Sequence, residues 1–174
     1  LIRYRSRLMR DINRSKNRIK SLLKYQGIEI PAQYAKNNWS QNFLTWIEQQ
    51  AAKDELLADT LLLMLEQMKL LRQLLVKTER KLRELRNGKY AVKVKLATSV
   101  PGIGATTAMQ FLLEAGDINR FKGFDALNDF IGFCPDTDSS GETDRDRGIT
   151  TRRHKQLRSA LIESAWQAIR VDPA

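Results

Sequence analysis

The chain has 174 residues, with 30 Lys or Arg against 20 Asp or Glu, so its formal net charge is +10. Its longest apolar stretch, around residues 61–65, is too short to span a bilayer, and no apolar run follows the basic N-terminal segment as it would in a signal peptide. One cysteine and one histidine argue against an internal disulfide and a structural zinc site, and predict a cytoplasmic protein. The positive charge favours a polyanionic partner, either nucleic acid or an anionic membrane.

Residues 1–26 predict a basic amphipathic helix. Apolar residues recur at helical spacing, at Tyr4, Leu8, Ile12, Ile19, Leu22 and Leu23. Nine Lys or Arg residues occupy the other faces, and Asp11 is the only acid among them. Gly27 suits the end of this helix, and Pro31 blocks its continuation. The basic residues indicate either a solvated face or a helix that contacts phosphates.

A second predicted helix begins near Ser40, a suitable N-cap, and leads into the strongest periodic signal in the chain. Spacings of four and three residues alternate through Leu57, Leu61, Met64, Met68, Leu71, Leu75, Thr78, Leu82 and Leu85. This is a heptad seam, which Leu56, Leu63 and Leu70 widen on one side. We expect it to pack against residues 40–53 and against the same helix of a second chain, giving a homo-oligomer. A core helix of a globular domain is the alternative.

The dipeptide Asn87-Gly88 predicts the end of the long helix. Most glycines lie after it, and we interpret the stretch "YAVKVKL" as helix rather than strand. The predicted fold is therefore all-α, with a long coiled-coil arm and a small helical domain. The predicted regions are a basic helix at 1–30, a coiled-coil region at 31–88 and a C-terminal domain at 89–174.

The stretch "LATSVPGIGATTAMQFLL" has the form of a helix-hairpin-helix motif, with helices that end near Val100 and begin near Ala105. Glycine lets backbone approach a phosphate closely, and the first N–H groups of the second helix can hold an anion. We expect DNA-backbone contact here, without sequence readout, from Gly102, Ile103, Gly104, Thr106 and Thr107. A tight helical hairpin without a ligand is the alternative.

The stretch "DTDSSGETDRDRGIT" at 136–150 combines acids, two serines and a glycine, which is typical of a turn. Its acids lack the spacing of a calcium loop, so we predict no metal site. From the residues alone, Ser139 and Ser140 are weak candidates for a nucleophile, because no base is evident nearby. Several cations follow that could hold a phosphate for attack by a hydroxyl, namely Arg145, Arg147, Arg152, Arg153, Lys155 and Arg158.

Several segments occur in one order: "SVPGIGATTAMQFLLEAGDINRF", "LNDFIGFCP", "SSG", "GIT" and "LRSALIESAWQAIR". This order resembles the C-terminal transposase domain of the IS110 family, the bridge-RNA-guided recombinases that include the pilin-gene invertase. The segment "RYRSRLMRDINRSKNRIKSLL", followed by a heptad helix, resembles the middle section of that family. The combination of motifs is specific, although each motif alone is weak.

The resemblance implies a serine nucleophile that attacks a DNA phosphodiester, and it assigns this role to Ser140, with Ser139 as the adjacent alternative. It also implies a resolvase-like domain with four magnesium-binding acids, whose end would be residues 1–30, and a guide RNA in the intact protein. The chain begins with Leu, so we expect it to be part of a longer protein and to lack full catalysis by itself. Family members often carry glycine near the position of Arg153, so the loop geometry there is in doubt.

The sequence thus predicts part of a DNA transposase or site-specific recombinase, with no cofactor held by this chain and magnesium held by the acidic domain. Ser140 is the predicted nucleophile, and Arg152, Arg153 and Arg158 are the weaker predictions for phosphate contact. DNA, a guide RNA and a second copy of the chain are the predicted partners, and a membrane is not. The alternative is a non-enzymatic coiled-coil module that only binds DNA.

Overall fold

The computed structural model describes residues 1–34, 39–53, 55–140, 143–149 and 154–171, with backbone alone at 55–56, 135–140 and 143–149. The helices in these ranges are α1 (Ile2–Tyr25), α2 (Gln41–Ala51), α3 (Glu55–Asn87), α4 (Ala91–Thr98), α5 (Ala105–Ala115), α6 (Phe124–Ile131) and α7 (Lys155–Val171). Strands β1 (Pro135–Ser140) and β2 (Thr143–Ile149) lie between α6 and α7. The chain forms two compact units, Leu1 with Arg3–Lys81 and Ile2 with Leu82–Ala174. No described helix is long and apolar enough to cross a membrane.

The ends of the first two helices follow local sequence signals. Gly27 has a φ of 67°, in the left-handed region that favours glycine, and the N–H of Ile28 donates to the carbonyl of Leu23 at 2.9 Å. This closes α1 where the sequence predicts. Ser40 has extended backbone, and its side chain accepts a hydrogen bond from the N–H of Phe43 at 3.4 Å, so it caps α2 as expected.

The core of the first unit is built from three helices. Its buried residues come from α1, α2 and α3, and from Trp39, which precedes the N-cap Ser40 of α2. They are Ile19, Leu23, Trp39, Phe43, Leu44, Ile47, Ala51, Leu57, Leu61, Leu65 and Met68. Phe43 stacks on Tyr34 and Trp46, with ring centroids 5.1 and 5.8 Å away. Aromatic and aliphatic side chains thus bury α3 against α2, as the sequence predicts for residues 40–53.

Part of the heptad seam of α3 is covered by the chain itself. Leu57, Leu61 and Met68 are buried in the first core, and Thr78 is buried further along, where its hydroxyl donates to the carbonyl of Leu74 at 2.7 Å. The sequence analysis did not name α1 as a neighbour of α3. An ion pair between Arg5 of α1 and Glu79 of α3 (Nη2–Oε1 2.9 Å) shows that the two helices are in contact. The widening residues Leu63 and Leu70 are exposed.

The second unit has its own small core. Its buried residues are Ile2, Leu82, Val94, Ala108 and Met109. The stretch "YAVKVKL" lies within α4 and the residue before it, so its interpretation as helix is confirmed. Among the described elements of this unit, α5 packs on both α4 and α7. The helix α5 is therefore the central element on which the neighbouring turn and the last helix are positioned.

The predicted helical class is confirmed, but the serine-containing segment departs from it. Residues 135–140 and 143–149 form an antiparallel two-stranded ribbon rather than the expected turn. The segment has no apolar alternation, and Asp and Ser have low strand propensity, so the usual strand signal is missing. Pairing of the acid Asp138 with the base Arg145 across the ribbon is the signal that was available in the sequence.

Candidate nucleic-acid interface and serine ribbon

The turn between α4 and α5 lies where the sequence predicts a hairpin. Helix α4 ends at Thr98 and α5 begins at Ala105, and within the turn the N–H of Ile103 donates to the carbonyl of Val100 at 3.1 Å. Ile103 is half-buried and packs against the core of the second unit. This side chain fixes the turn to its own unit, as expected of the apolar residue between the two glycines.

Gly102 is required by the packing of α7. It has a φ of 81°, and a Cβ built on it would lie 2.1 Å from the carbonyl oxygen of Ser164 and 2.7 Å from the backbone nitrogen of Ala168. Both contacts are with the backbone of α7, so no side-chain rotation would relieve them. Close approach of the turn to a helix therefore explains this glycine, whereas we expected it to serve approach to a phosphate. The small residue Ser164 was missed by the sequence analysis.

Gly104 is the glycine of the turn that has free space beside its Cα atom. It is exposed, it precedes the first residue of α5, and a Cβ built on it would have no heavy atom within 4 Å. No side chain in the described part of the chain caps α5. Thr106 is exposed on the first turn of α5, and Thr107 is half-buried. The N-terminus of α5 thus presents N–H groups and a hydroxyl at the surface, where an anion can approach.

The two candidate serines lie at the end of β1. Ser140 is paired with Thr143, the last pair before the connection between the strands, and Ser139 is paired with Asp144. Adjacent residues of a strand lie on opposite faces, and directly paired residues share a face. Ser140 therefore shares its face with Asp138, Thr143 and Arg145, whereas Ser139 shares the other face with Thr137, Asp144 and Asp146.

Arg158 joins α7 to the segment that leads into the ribbon. Its Nη1 donates to the carbonyl of Gly132 at 2.7 Å. Gly132 follows α6 directly, is buried and has a φ of 89°, and β1 begins three residues later. This arginine therefore anchors the beginning of the ribbon. We expected Arg158 to contact a phosphate, which remains a prediction alongside this structural contact.

A nearly buried acid–base pair lies at the beginning of α7. The Nδ1 of His154 is 3.3 Å from Oε2 of Glu114, and the side chain of Glu114 is only 6% exposed. The imidazole also packs against Phe130, with ring centroids 4.1 Å apart and ring planes tilted by 38°, and the Arg120 guanidinium lies over the same Phe130 ring. Sequence analysis missed Glu114, although a single carboxylate within the apolar run "MQFLLEAG" is an available signal.

Two of the predicted site residues lie outside the described residues, namely Arg152 and Arg153. The side chains of Ser139 and Ser140 are also not described, so their placement here rests on the strand register. In the described ranges, no group of three or more His, Cys, Asp or Glu residues could hold a metal ion. The resemblance assigns magnesium to the acidic domain and not to these residues, so the metal site stays a prediction about an intact protein.

Residues 94–174 match the sequence family described as "Transposase IS116/IS110/IS902 family". A transposase for insertion sequence element IS1111A from Coxiella burnetii is 38% identical over 72 residues, which are 41% of this chain and 20% of that protein. A putative transposase, y4qE, from Sinorhizobium fredii is 35% identical over 65 residues, which are 37% and 17% of the two chains. An uncharacterized 43.6 kDa protein of insertion element IS110 from Streptomyces coelicolor is 34% identical over 77 residues, or 44% and 19%.

The matched family confirms the resemblance to a transposase domain for residues 94–174, which include the hairpin, the ribbon and α7. The chain spans about a fifth of the length of the curated relatives it matches. A comparison with solved structures found no match.

Proposed function

We propose that this chain is the DNA-binding and strand-transferring part of an insertion-sequence transposase, with Ser140 as its nucleophile. The position of Ser140 at the last pair of the ribbon carries the proposal, because a nucleophile at the end of a ribbon can reach a bulky duplex. The transposase match over residues 94–174 supports the same class of reaction. The guide RNA and the magnesium site stay predictions about an intact protein.

The chemistry is a transesterification. The Ser140 hydroxyl oxygen attacks a backbone phosphorus and loses its proton, the bond from phosphorus to the leaving deoxyribose oxygen breaks, and that oxygen gains a proton. The product is a phosphoserine link, and attack by the hydroxyl of another strand reverses the sequence of bonds and joins the new strand. Both steps conserve the number of phosphodiester bonds, so they need no nucleotide cofactor.

The strand register places Ser140 and Arg145 on one face of the ribbon together with Asp138, which is directly paired with Arg145. The charges of the ribbon therefore do not decide between Ser140 and Ser139. The preference for Ser140 rests on its place at the last pair of the ribbon and on the resemblance.

The N-terminus of α5 is the proposed contact with the DNA backbone in this unit. Gly104 leaves room for a phosphate oxygen, and the uncapped N–H groups carry the partial positive charge of the helix end. Such a contact does not distinguish base sequences, so the target preference must come from elsewhere.

The test is covalent trapping with the intact transposase that contains this chain and labelled DNA. We expect a protein–DNA adduct that survives a denaturing gel, with the linked peptide mapped by mass spectrometry to Ser140. The variant Ser140→Ala is expected to lose the adduct and keep DNA binding, whereas Ser139→Ala is expected to keep both.

An adduct that persists in Ser140→Ala, or one that maps to Ser139 or to a tyrosine, contradicts the proposal. An intact protein that binds DNA and yields no adduct under any condition supports the second candidate function, a non-enzymatic DNA-binding module. The hairpin at the start of α5 is compatible with both functions, because contact with the DNA backbone needs no nucleophile.

We also propose that the chain self-associates through α3, with the contact on its exposed side. The buried seam residue Met68 is fully covered within the first unit, so that part of the seam cannot serve a second copy. Leu63 and Leu70, seven residues apart on one side of the helix, are 65% and 56% exposed. Heptad spacing of exposed leucines is typical of a helix that pairs with another helix.

A further inference from the structure

A cleft of about 440 Å³ lies between the end of α3, one face of α4 and the beginning of α5, all within the second unit. Its cations are Arg86, near the end of α3, and Lys95, on α4. Lys95 is exposed, and Arg86 is half-buried. Ala91, Val94 and Ala105 complete the lining with small or aliphatic side chains. The cleft thus presents two cations beside a small apolar surface.

No acid balances these two cations among the described residues. None of the described residues that line the cleft is Asp or Glu, and Glu84, the only acid in residues 82–98, does not line it. Neither cation forms an ion pair in the part of the chain that the structure describes. The hydrogen-bond partner of Arg86 is neutral, since its Nε donates to Oδ1 of Asn87 at 3.1 Å. Two cations that share a cleft repel each other, and an anion between them lowers that cost.

The cleft adjoins the proposed backbone contact at the beginning of α5. Ala105 lines the cleft, and it is the first residue of α5 and follows Gly104 directly. Asn87 also lines the cleft, and because its Oδ1 accepts the bond from Arg86, its amide N–H groups remain as donors. Positive charge and hydrogen-bond donors therefore lie beside the point where a DNA phosphate is proposed to approach.

We propose that Arg86 and Lys95 each contact a phosphate of duplex DNA, next to the phosphate at the beginning of α5. This inference rests on the proposed function, because it extends the DNA contact of the hairpin to two residues that the sequence analysis did not name. A DNA strand carries a phosphate about every 3.4 Å along the helix axis, so neighbouring phosphates fit a single cleft. Such contacts position the duplex and do not read its base sequence.

The test measures binding of the 174-residue chain to a short fluorescein-labelled DNA duplex at a series of salt concentrations. Each phosphate contact contributes about 0.9 to the slope of log K against log salt, so Arg86→Gln/Lys95→Gln should lower the slope by about 1.8. Between about 50 and 200 mM salt, the variant should lose about 12-fold less affinity than the wild type loses. Lys95→Gln alone changes an exposed side chain and should lower the slope by about 0.9.

The matched control is Lys89→Gln/Lys93→Gln, which removes the same charge from the same part of the chain. Lys93 is on α4 but lines a different, apolar cleft with Leu96 and Phe111. The Nζ of Lys89 lies over the Tyr90 ring, 5.7 Å from its centroid. Each double variant removes two positive charges, so the long-range attraction to DNA falls equally in both. We expect the control to keep the slope of the wild type.

Equal slopes for the two double variants overturn the proposal, because the net charge and not the cleft then attracts DNA. An RNA duplex of the same sequence that loses more affinity than the DNA duplex in Arg86→Gln/Lys95→Gln also overturns it, because the cleft then binds RNA. If Gly104→Val weakens DNA binding while the cleft variant matches the wild type, the cleft proposal fails and the hairpin contact stands. The reverse pattern overturns the hairpin contact alone, and covalent trapping at Ser140 is measured separately from both.

Discussion

Substituting Gly102 by alanine tests whether the turn before α5 is shaped by α7. The new Cβ would lie 2.1 Å from the Ser164 carbonyl oxygen and 2.7 Å from the Ala168 nitrogen, both well inside contact distance. Left-handed backbone costs a residue with a Cβ about 1–2 kcal/mol, and overpacking costs about 1–3 kcal/mol. Together we expect Gly102→Ala to lower the free energy of unfolding by about 2–5 kcal/mol, a large part of the 5–15 kcal/mol typical of a domain.

The measurement is urea denaturation followed by circular dichroism, with hydrogen exchange to locate the effect. We expect faster exchange of backbone amides in α5 and α7, and unchanged exchange in the core of the first unit. Gly104→Ala is the matched control, two residues along the same turn, where φ is −81° and no atom lies within 4 Å of the new Cβ. It should cost less than about 1 kcal/mol, the usual effect of alanine at a helix N-cap.

Equal stability of Gly102→Ala and wild type would refute the steric argument. Equal destabilisation by the two alanine variants would also refute it, because the cost would then belong to the turn in general rather than to the contact with α7.

Three further predictions follow from the other features. Gly104→Val should weaken binding to every duplex by the same factor in fluorescence anisotropy, because it blocks backbone approach, and a loss limited to one sequence would contradict this. His154→Ala removes a partner of the nearly buried Glu114 carboxylate and should destabilise the second unit by about 1–3 kcal/mol in urea denaturation, so an unchanged midpoint would count against the pair. Leu63→Asp combined with Leu70→Asp should convert a self-associated chain to monomer in sedimentation with the helix content retained, and a wild type that is monomeric at micromolar concentration would exclude that contact.

The sequence alone determined the helices α1 to α5 and where most of them end. Gly27, Ser40 and the Asn87-Gly88 pair set these boundaries through bonds between residues a few positions apart, so a local reading of the chain was sufficient. The position of the turn between α4 and α5 was predictable for the same reason. The resemblance to a transposase domain over residues 94–174 also followed from the order of motifs.

Only the tertiary structure decided which surfaces meet. Periodicity showed that α3 has an apolar seam, but contact with α1 depends on residues such as Arg5 and Glu79 that are 74 positions apart. The reason for Gly102 lies in α7, more than sixty residues along the chain, so its sequence neighbours could not reveal it. The ribbon that carries Ser140 is held by pairing between strands of low intrinsic propensity, and such pairing is set by tertiary context rather than by local preference.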